Sequence, residues 1–199
     1  MNITQTTEIS LKKNPFSLEN KKIILFGSDS PTGKATSEIL KGMGAIIIEE
    51  NNSSETSFDG MVFFAENSAR SFMKKTRSNN LEITNFISKR FINPFFKIQE
   101  AINNQILNEG ASIIIEKISI DIANENPGYF NIEAGINSLI SCMALNIANQ
   151  KIRINIITAK NNPITSDNEN FGYSAVYLLS PASRWVTGSE IVITGRATR

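Results

Sequence analysis

The chain has 199 residues, of which 41% are hydrophobic and 20% charged, and its formal net charge is +1. This length suffices for one domain with a sizeable core, and these fractions exclude wholesale disorder. Twenty basic residues against nineteen acidic residues provide no field that attracts nucleic acid or an anionic membrane surface. We therefore expect neither nucleic acid nor a membrane among its partners.

Two residue types restrict the chemistry of the chain. It contains no histidine, which removes the usual general base of serine and cysteine hydrolases and the commonest metal ligand, so no metal site is expected. The single cysteine, Cys142, cannot form an internal disulfide and is predicted to lie in the core of a helix.

The polar N-terminus lacks an apolar targeting segment, and no apolar run approaches the roughly 20 residues that span a bilayer. A cytoplasmic protein is expected.

Short apolar runs alternate with helical patterns after a flexible arm predicted over residues 1–19. Ile23–Phe26 is a run of four apolar residues, which is typical of a strand buried on both faces. A helix is predicted from Pro31 to about Met43, because Ser30 is a favourable N-cap and proline is favourable at the first helical position. The next elements are a second buried strand at 45–48, a polar loop at 51–58 and a third strand at 60–64.

The second half of the chain continues the alternation. A helix is predicted over residues 81–108 with a kink at Pro94, since proline interrupts helical hydrogen bonding. The remaining elements are a strand at 112–118, a helix at 129–150, a strand at 152–158, a helix at 169–179 and a strand at 190–194. Strands that alternate with helices predict a parallel sheet with helices on both faces. The predicted fold class is α/β, with three layers and a doubly wound parallel sheet of about six strands over residues 20–199.

Several motifs occur in a recognisable order. The turn Gly27–Gly33 follows the first strand and runs into a helix, which is an arrangement that presents backbone N–H groups to a phosphate. Farther on, Ile152–Ile157 contains an Arg-Ile-Asn strand, and Tyr177–Pro181 precedes the Thr187–Gly188 turn and a last strand ending at Gly195. With these motifs the chain resembles the short-chain dehydrogenase/reductase family, particularly its β-ketoacyl-acyl-carrier-protein reductase-like members. The resemblance covers the spans Phe16–Glu49, Phe58–Glu66 and Pro94–Gly195.

The resemblance implies a Rossmann-like fold that binds NAD or NADP. It places the cofactor contacts at Gly27, Ser28, Ser30, Thr32, Gly33, Ala65, Ile164 and Thr165. Three residues disagree with such a site, because Pro31 has no N–H, Asp29 adds negative charge beside the phosphates, and Glu66 adds bulk where the family keeps glycine. We therefore expect that no cofactor binds, or that NAD or NADP binds if the site is still functional.

The catalytic residues that the resemblance implies are largely replaced. The family's Tyr-x-x-x-Lys motif falls on Tyr129 to Glu133, so the tyrosine is present and the lysine has become glutamate. A carboxylate there disfavours the phenolate and raises the tyrosine pKa, whereas the family's lysine lowers it. The family's serine falls around residues 116–118, where no hydroxyl occurs, and its asparagine falls near Arg90. A rewired acid–base role for Glu133 would require a compensating charge, which Lys117 or Lys160 would supply.

Two segments of the family are missing, whereas its subunit interfaces are better retained. Too few residues follow the second strand for the family's third strand, and residues 165–171 leave no room for the helices that cover its substrate.

The two helices that pair between subunits in the family keep the apolar residues Phe91, Phe95, Phe96, Ile98, Ile132, Ile136, Leu139, Ile140 and Met143. A two-fold contact needs one self-complementary patch, so we expect a homodimer, a homotetramer or a hetero-oligomer with another family member.

Different classes of function are compatible with these observations. The first is a degenerate, non-catalytic homologue that acts through assembly, alone or with an active reductase. The second is an NAD(P)-dependent oxidoreductase of the carbonyl or 3-oxoacyl reductase type, with an atypical site at Tyr129 and Glu133, and a third is a sensor that binds the cofactor without chemistry. We adopt the first as the hypothesis, because the lysine, serine and asparagine are lost together with the substrate lid.

Overall fold

The computed structural model describes residues 14–50, 57–65, 79–119, 127–160 and 165–193, and for residues 119, 127–131, 160 and 165–167 it describes the backbone alone. Its centre is a sheet of six parallel strands in the order β2-β1-β3-β4-β5-β6. The strands are β1 (Lys22–Phe26), β2 (Ile46–Glu49), β3 (Phe58–Phe63), β4 (Leu107–Ser119), β5 (Arg153–Lys160) and β6 (Glu190–Ile193). The predicted six-stranded parallel sheet is confirmed.

Helices cover both faces of this sheet. They are α1 (Pro31–Gly42), α2 (Asn80–Ile87), α3 (Asn93–Asn103), α4 (Pro127–Ile147) and α5 (Thr165–Leu179). Successive residues of a strand point to opposite faces, so Ile24 of β1 packs in the layer of α3 and α4, whereas Leu25 packs in the layer of α1 and α5. The predicted three-layer, doubly wound α/β arrangement is therefore confirmed.

The second strand is less buried than the sequence predicts. β2 lies at an edge of the sheet and pairs with β1 alone among the described residues. Ile46 is 46% exposed, and Glu49 is exposed as well. The strand predicted at 45–48 is present, but only Ala45 and Ile48 of its four residues are buried, because an apolar run does not distinguish an edge strand from one with neighbours on both sides. Only residues 50–57 separate β2 from β3, which leaves no room for the family's third strand.

The helix predicted over residues 81–108 is divided and ends earlier. Between α2 and α3, residues Ser88–Ile92 form a π-helical turn, and the N–H of Asn93 donates to the carbonyl of its first residue. The irregularity thus lies just before Pro94 and takes the form of a widened turn. Beyond α3, Gln105 has a φ of +54°, which turns the chain into β4. The predicted helix is too long because a reversal of the backbone does not change the pattern of apolar residues.

Cys142 is exposed on α4, so its predicted place in the helix core is wrong. The next two residues, Met143 and Ala144, are buried against the sheet. Apolar residues occupy more than one face of this helix, since Leu145 is exposed as well. Composition alone therefore does not decide which of these side chains meets the sheet.

The hydrophobic core includes a residue that precedes the predicted domain boundary at residue 20. Leu18 is fully buried in the layer of α1 and α5, and its N–H donates to the carbonyl of Met43 at 3.1 Å. The described end of the arm thus contacts the core. The division into an arm over 1–19 and a domain over 20–199 stays a prediction.

Helices α1 and α5 pack closely at Gly172, which yields a stability prediction. A Cβ at this position would lie 2.6 Å from Cδ1 of Ile39 and 3.4 Å from Cα of Thr36. We expect Gly172→Ala to lower the free energy of unfolding by about 1 kcal/mol, because the side chain of Ile39, whose Cβ would lie 3.3 Å away, must move. Gly42→Ala is the control, since a Cβ there meets nothing within 4 Å. Urea denaturation measures both variants, and equal losses would contradict close packing at Gly172.

Candidate functional site

The sheet has a switch point between β1 and β3. From β1 the chain passes to β2 on one side and then to β3 on the other. In doubly wound sheets, ligands bind in the crevice outside the carboxyl ends of the strands at such a point. Here the crevice is bordered by the turn of residues 27–33 and by Phe26 and Phe63, which end β1 and β3. This crevice is the candidate site.

The turn before α1 is tight and depends on two glycines. Gly27 has a φ of +74°, and a Cβ on Gly33 would lie 2.6 Å from Cα and from the carbonyl oxygen of Ser28. Ser30 is the N-cap, as predicted, and its hydroxyl accepts a hydrogen bond from the N–H of Gly33 at 3.0 Å. Five of the predicted cofactor contacts thus lie in one turn, namely Gly27, Ser28, Ser30, Thr32 and Gly33.

The polar groups of this turn are largely engaged within the protein. Pro31 is the first helical residue and has no N–H, while the N–H of Gly33 is held by Ser30. The hydroxyl of Thr32 donates to the side-chain carbonyl of Asn168 on α5 at 3.0 Å. A phosphate at this helix N-terminus would find fewer donors than such sites usually offer.

Aromatic rings fill the space beyond the turn. Phe26 and Phe63 stack with their centroids 4.5 Å apart and their planes 8° from parallel. Nζ of Lys97 lies 4.9 Å from the centroid of Phe26 and forms an ion pair with Glu50. The cavity that these side chains leave has a volume of about 160 Å³. Sites for small molecules usually have roughly 300–1,000 Å³, so the cavity bordered by these described residues is small.

Ala65, another predicted cofactor contact, is fully buried just beyond β3. Its N–H donates to Oε2 of Glu116 at 2.6 Å. Glu116 is buried too, and it lies where the resemblance places the family's serine. Ala65 is therefore covered by the protein's own side chains.

A buried ion pair joins the π-helical turn to α4. Nε and Nη2 of Arg90 donate to Oε1 of Glu133 at 3.0 and 2.9 Å, and Nη2 lies 3.2 Å from Oε2. Nη2 also donates to the backbone carbonyl of Glu116 at 3.0 Å. Both side chains of the pair are almost fully buried. This fork geometry lets guanidinium and carboxylate satisfy each other, as burial of two charges requires.

The ion pair lies at two positions that the resemblance assigns to the family's active site. The resemblance places the family's asparagine near Arg90 and its lysine at Glu133. The charge that compensates Glu133 is Arg90, so the expectation of Lys117 is wrong. Lys117 lies 2.7 Å from Glu190 instead, and the side chain of Lys160 lies outside the described residues.

Sequence reasoning missed the partner of Glu133, although a signal for it was present. Glu133, Ile136 and Ile140 follow one another at helical spacing, and all three are buried against the sheet. A carboxylate on a buried helix face requires a basic partner. Nothing in the local pattern, however, indicates that the partner is Arg90, because that residue belongs to another helical segment.

Three further predicted site residues lie wholly or partly outside the described part of the chain. Tyr129 is in the first turn of α4, but its side chain is not described. Ile164 lies outside the described residues, and Thr165 begins α5 with its side chain undescribed. Their roles stay predictions. Only residues 161–164 separate β5 from α5, so the substrate-covering helices of the family have no counterpart there.

No protein-family model matches this sequence, and no curated protein matches it significantly. Solved structures do match. The reductase LugOII, which catalyses keto-reduction at C1 during lugdunomycin biosynthesis, has a TM-score of 0.74 and 16% identity over 88% of this chain and 95% of its own. A short-chain dehydrogenase/reductase family oxidoreductase from Brucella ovis, in complex with a partially ordered NAD, has a TM-score of 0.70 and 17% identity over 88% of this chain and 100% of its own.

The angucycline C-6 ketoreductase LanV, with bound NADP, is similar to the same extent. Its TM-score is 0.70 at 13% identity, over 88% of this chain and 95% of its own. Identities of this size show a shared fold. The chain thus has the Rossmann-like fold of the short-chain dehydrogenases/reductases, as the sequence motifs predict.

Two features of the described residues are unfavourable to a nicotinamide dinucleotide in the crevice. The stacked rings of Phe26 and Phe63 border a cavity of about 160 Å³. At the helix N-terminus, Pro31 offers no donor and the N–H of Gly33 is already bonded to Ser30. This part of the site therefore offers a dinucleotide little space and few N–H donors.

The described residues offer neither a cluster of metal ligands nor a membrane-spanning helix. Among them, no three or more Cys, Asp or Glu side chains are grouped so as to hold a metal ion. No described helix is long and apolar enough to cross a membrane.

The buried ion pair predicts strongly non-additive stability effects. Glu133→Leu leaves the charge of Arg90 unpaired in the core, so we expect a loss of about 3–5 kcal/mol of unfolding free energy, and a similar loss for Arg90→Met. The double variant removes both charges and should be at least as stable as either single variant. Urea denaturation of the four proteins gives the coupling energy. Losses that simply add in the double variant would contradict a paired buried charge.

A second polar cluster joins β4, β5 and β6 to α4. Glu190 accepts hydrogen bonds from Thr158 and, at 2.8 Å, from the side-chain amide of Asn137, and it pairs with Lys117. Burial raises the pKa of Glu190, but the hydrogen bonds from Lys117, Thr158 and Asn137 and the charge of Lys117 together outweigh it. The pKa is therefore held below its usual value of 4.5.

This lowered pKa predicts a particular acid dependence of stability. The stability that Glu190 confers should be complete above its ordinary pKa and be lost as pH falls through the lower folded-state pKa. Glu190→Gln should therefore reduce stability at neutral pH and flatten its decline between about pH 5 and pH 3. Urea midpoints across this range measure the effect. Glu38→Gln is the control, because Glu38 is exposed in its pair with Lys41. Curves for wild type and Glu190→Gln that fall in parallel would contradict the assignment.

Proposed function

We propose that this protein is a non-catalytic homologue of the short-chain dehydrogenases/reductases, a pseudoenzyme that acts in the cytoplasm through assembly. Its partners are copies of itself, in a dimer or tetramer, or an active reductase of the same fold. The observation that carries the proposal is the buried pair of Arg90 and Glu133, at the asparagine and lysine positions of the family.

The ion pair removes two functions of the family's site at once. The family's lysine lowers the pKa of its tyrosine and hydrogen-bonds the nicotinamide ribose. Glu133 cannot replace it, because an ionised carboxylate only accepts hydrogen bonds. Arg90 cannot replace it either, since its guanidinium is bound to Glu133 and to the carbonyl of Glu116. Neither member of the ion pair therefore provides a free cation that would stabilise a phenolate at Tyr129.

The surface that supports assembly is smaller than the sequence predicts. Of the nine apolar residues expected at the interface, four are buried in the core, namely Ile98, Ile136, Ile140 and Met143. These side chains pack against the sheet, so only the remaining apolar residues are available for an interface. Phe96 on α3 is 61% exposed, and Leu145 on α4 is 79% exposed. These two side chains are the apolar anchors that the α3–α4 layer offers to a partner.

The fold also supports a second candidate, since it is shared with an oxidoreductase whose structure holds a partially ordered NAD and with a ketoreductase whose structure holds NADP. This candidate is an NAD(P)-dependent oxidoreductase with an atypical site at Tyr129 and Glu133, or a sensor that binds the cofactor alone. Both functions require NAD or NADP to enter the crevice between β1 and β3. Cofactor binding therefore separates them from the assembly proposal.

Calorimetric titration and light scattering on the purified chain test the proposal together. We expect no binding of NADPH or NADH in the micromolar range, and the mass of a dimer or tetramer. Phe96→Ser should shift the mass toward the monomer, because it removes an apolar anchor. Tyr173→Ser is the matched control, since Tyr173 is also 61% exposed but belongs to α5 on the other face of the sheet.

Two outcomes would overturn the proposal. Binding of either cofactor in the micromolar range would show that the crevice opens, and the reductase and sensor candidates would then take precedence. A monomeric mass for the wild type, with no reductase recovered by co-purification from the native host, would remove assembly as the function.

A further inference from the structure

A second cleft lies at the end of the sheet opposite the glycine turn. Its volume is about 540 Å³, which is within the usual range for small-molecule sites. Its walls include the start of β5, the end of α5 and the loop that follows α5. This amino-end cleft shares no lining residue with the crevice between β1 and β3. It is thus a separate candidate for ligand binding.

Trp185 gives the amino-end cleft a flat stacking surface. It is the only tryptophan of the chain, and its side chain is 86% exposed. The guanidinium carbon of Arg184 lies 5.8 Å from the centroid of the indole. No described carboxylate lies within ion-pair distance of Arg184. An aromatic surface and an unneutralised positive charge therefore adjoin each other.

Arg153 supplies a second charge from inside the wall of the cleft. Only 8% of its surface is exposed, and Nη1 donates to the hydroxyl and the carbonyl of Ser183 at 2.8 and 3.1 Å. Within the described part of the chain, no carboxylate forms an ion pair with it. Burial lowers the pKa of Arg153, so its surroundings disfavour the cation. A nearby anion would relieve that cost.

The other charges of the cleft largely neutralise one another. Lys151 forms an ion pair with Glu109, and Nζ of Lys21 lies 3.4 Å from a carboxylate oxygen of Asp59. Helices α4 and α5 also end here, and their terminal carbonyls offset part of the positive potential. Arg153 and Arg184 are thus the charges that remain for a ligand, and a modest affinity is expected.

We propose that the amino-end cleft binds a small aromatic anion. Its planar ring stacks on Trp185, while its phosphate or carboxylate contacts Arg184 and approaches Arg153. Apolar side chains of Leu179 and Pro181 line the same cleft and complete a largely apolar environment for the ring.

Fluorescence of Trp185 and calorimetry test this site directly, because one tryptophan gives a local signal. The probes are AMP and benzoate, with adenosine lacking the charge and inorganic phosphate lacking the ring. We expect AMP or benzoate to change the fluorescence and to bind with a sub-millimolar Kd that weakens as salt is added. Adenosine and phosphate should each bind at least about tenfold more weakly.

Two variants locate the binding. Arg184→Ala should weaken AMP or benzoate about tenfold, because an exposed charge is removed without disturbing the core. Lys34→Ala is the control, since Lys34 is exposed on the first turn of α1 at the opposite end of the sheet. Absence of binding by both anions at about 10 mM would overturn the proposal. So would a loss caused by Lys34→Ala and not by Arg184→Ala, which would place the anion at the glycine turn.

Discussion

The buried pair of Arg90 and Glu133 constrains the whole carboxyl end of the sheet. Two charges removed from water are tolerated only when they satisfy each other, and Arg90 also binds the backbone carbonyl of Glu116. The carboxylate of Glu116 in turn accepts the N–H of Ala65, just beyond β3. One series of hydrogen bonds therefore joins the π-helical turn, α4, β4 and the end of β3. Each member fixes the position of the next.

This linkage couples the residues at the two positions that the resemblance assigns to the family's asparagine and lysine. A lysine in place of Glu133 would lie beside the cation of Arg90, and an asparagine in place of Arg90 would leave a buried carboxylate unpaired. Either single reversal would be strongly unfavourable. The fold is retained independently of this change, because its core consists of apolar residues on strands and helix faces that the ion pair does not replace.

The elements that the sequence predicts well have local signals. The apolar run Ile23–Phe26 and the N-cap Ser30 indicate a buried strand and a helix start, and both lie where expected. The exposure of β2 was missed because it depends on a neighbour that is absent from the described residues. The partner of Glu133 was missed because it lies 43 residues away in sequence. At the candidate site, the sequence thus located the turn and the substituted positions but not the bonds between them.

The two ends of the sheet differ in how their polar groups are satisfied. At the carboxyl end, Arg90 and Glu133 bind each other, and stacked phenylalanine rings narrow the crevice. At the amino end, Arg153 and Arg184 have no described carboxylate as partner and adjoin a larger cleft. A ligand gains most affinity from charged groups that have no partner within the protein. Its binding then displaces only water and breaks no existing ion pair. We therefore expect recognition of small ligands at the amino end, where the charges of the described residues are not already paired.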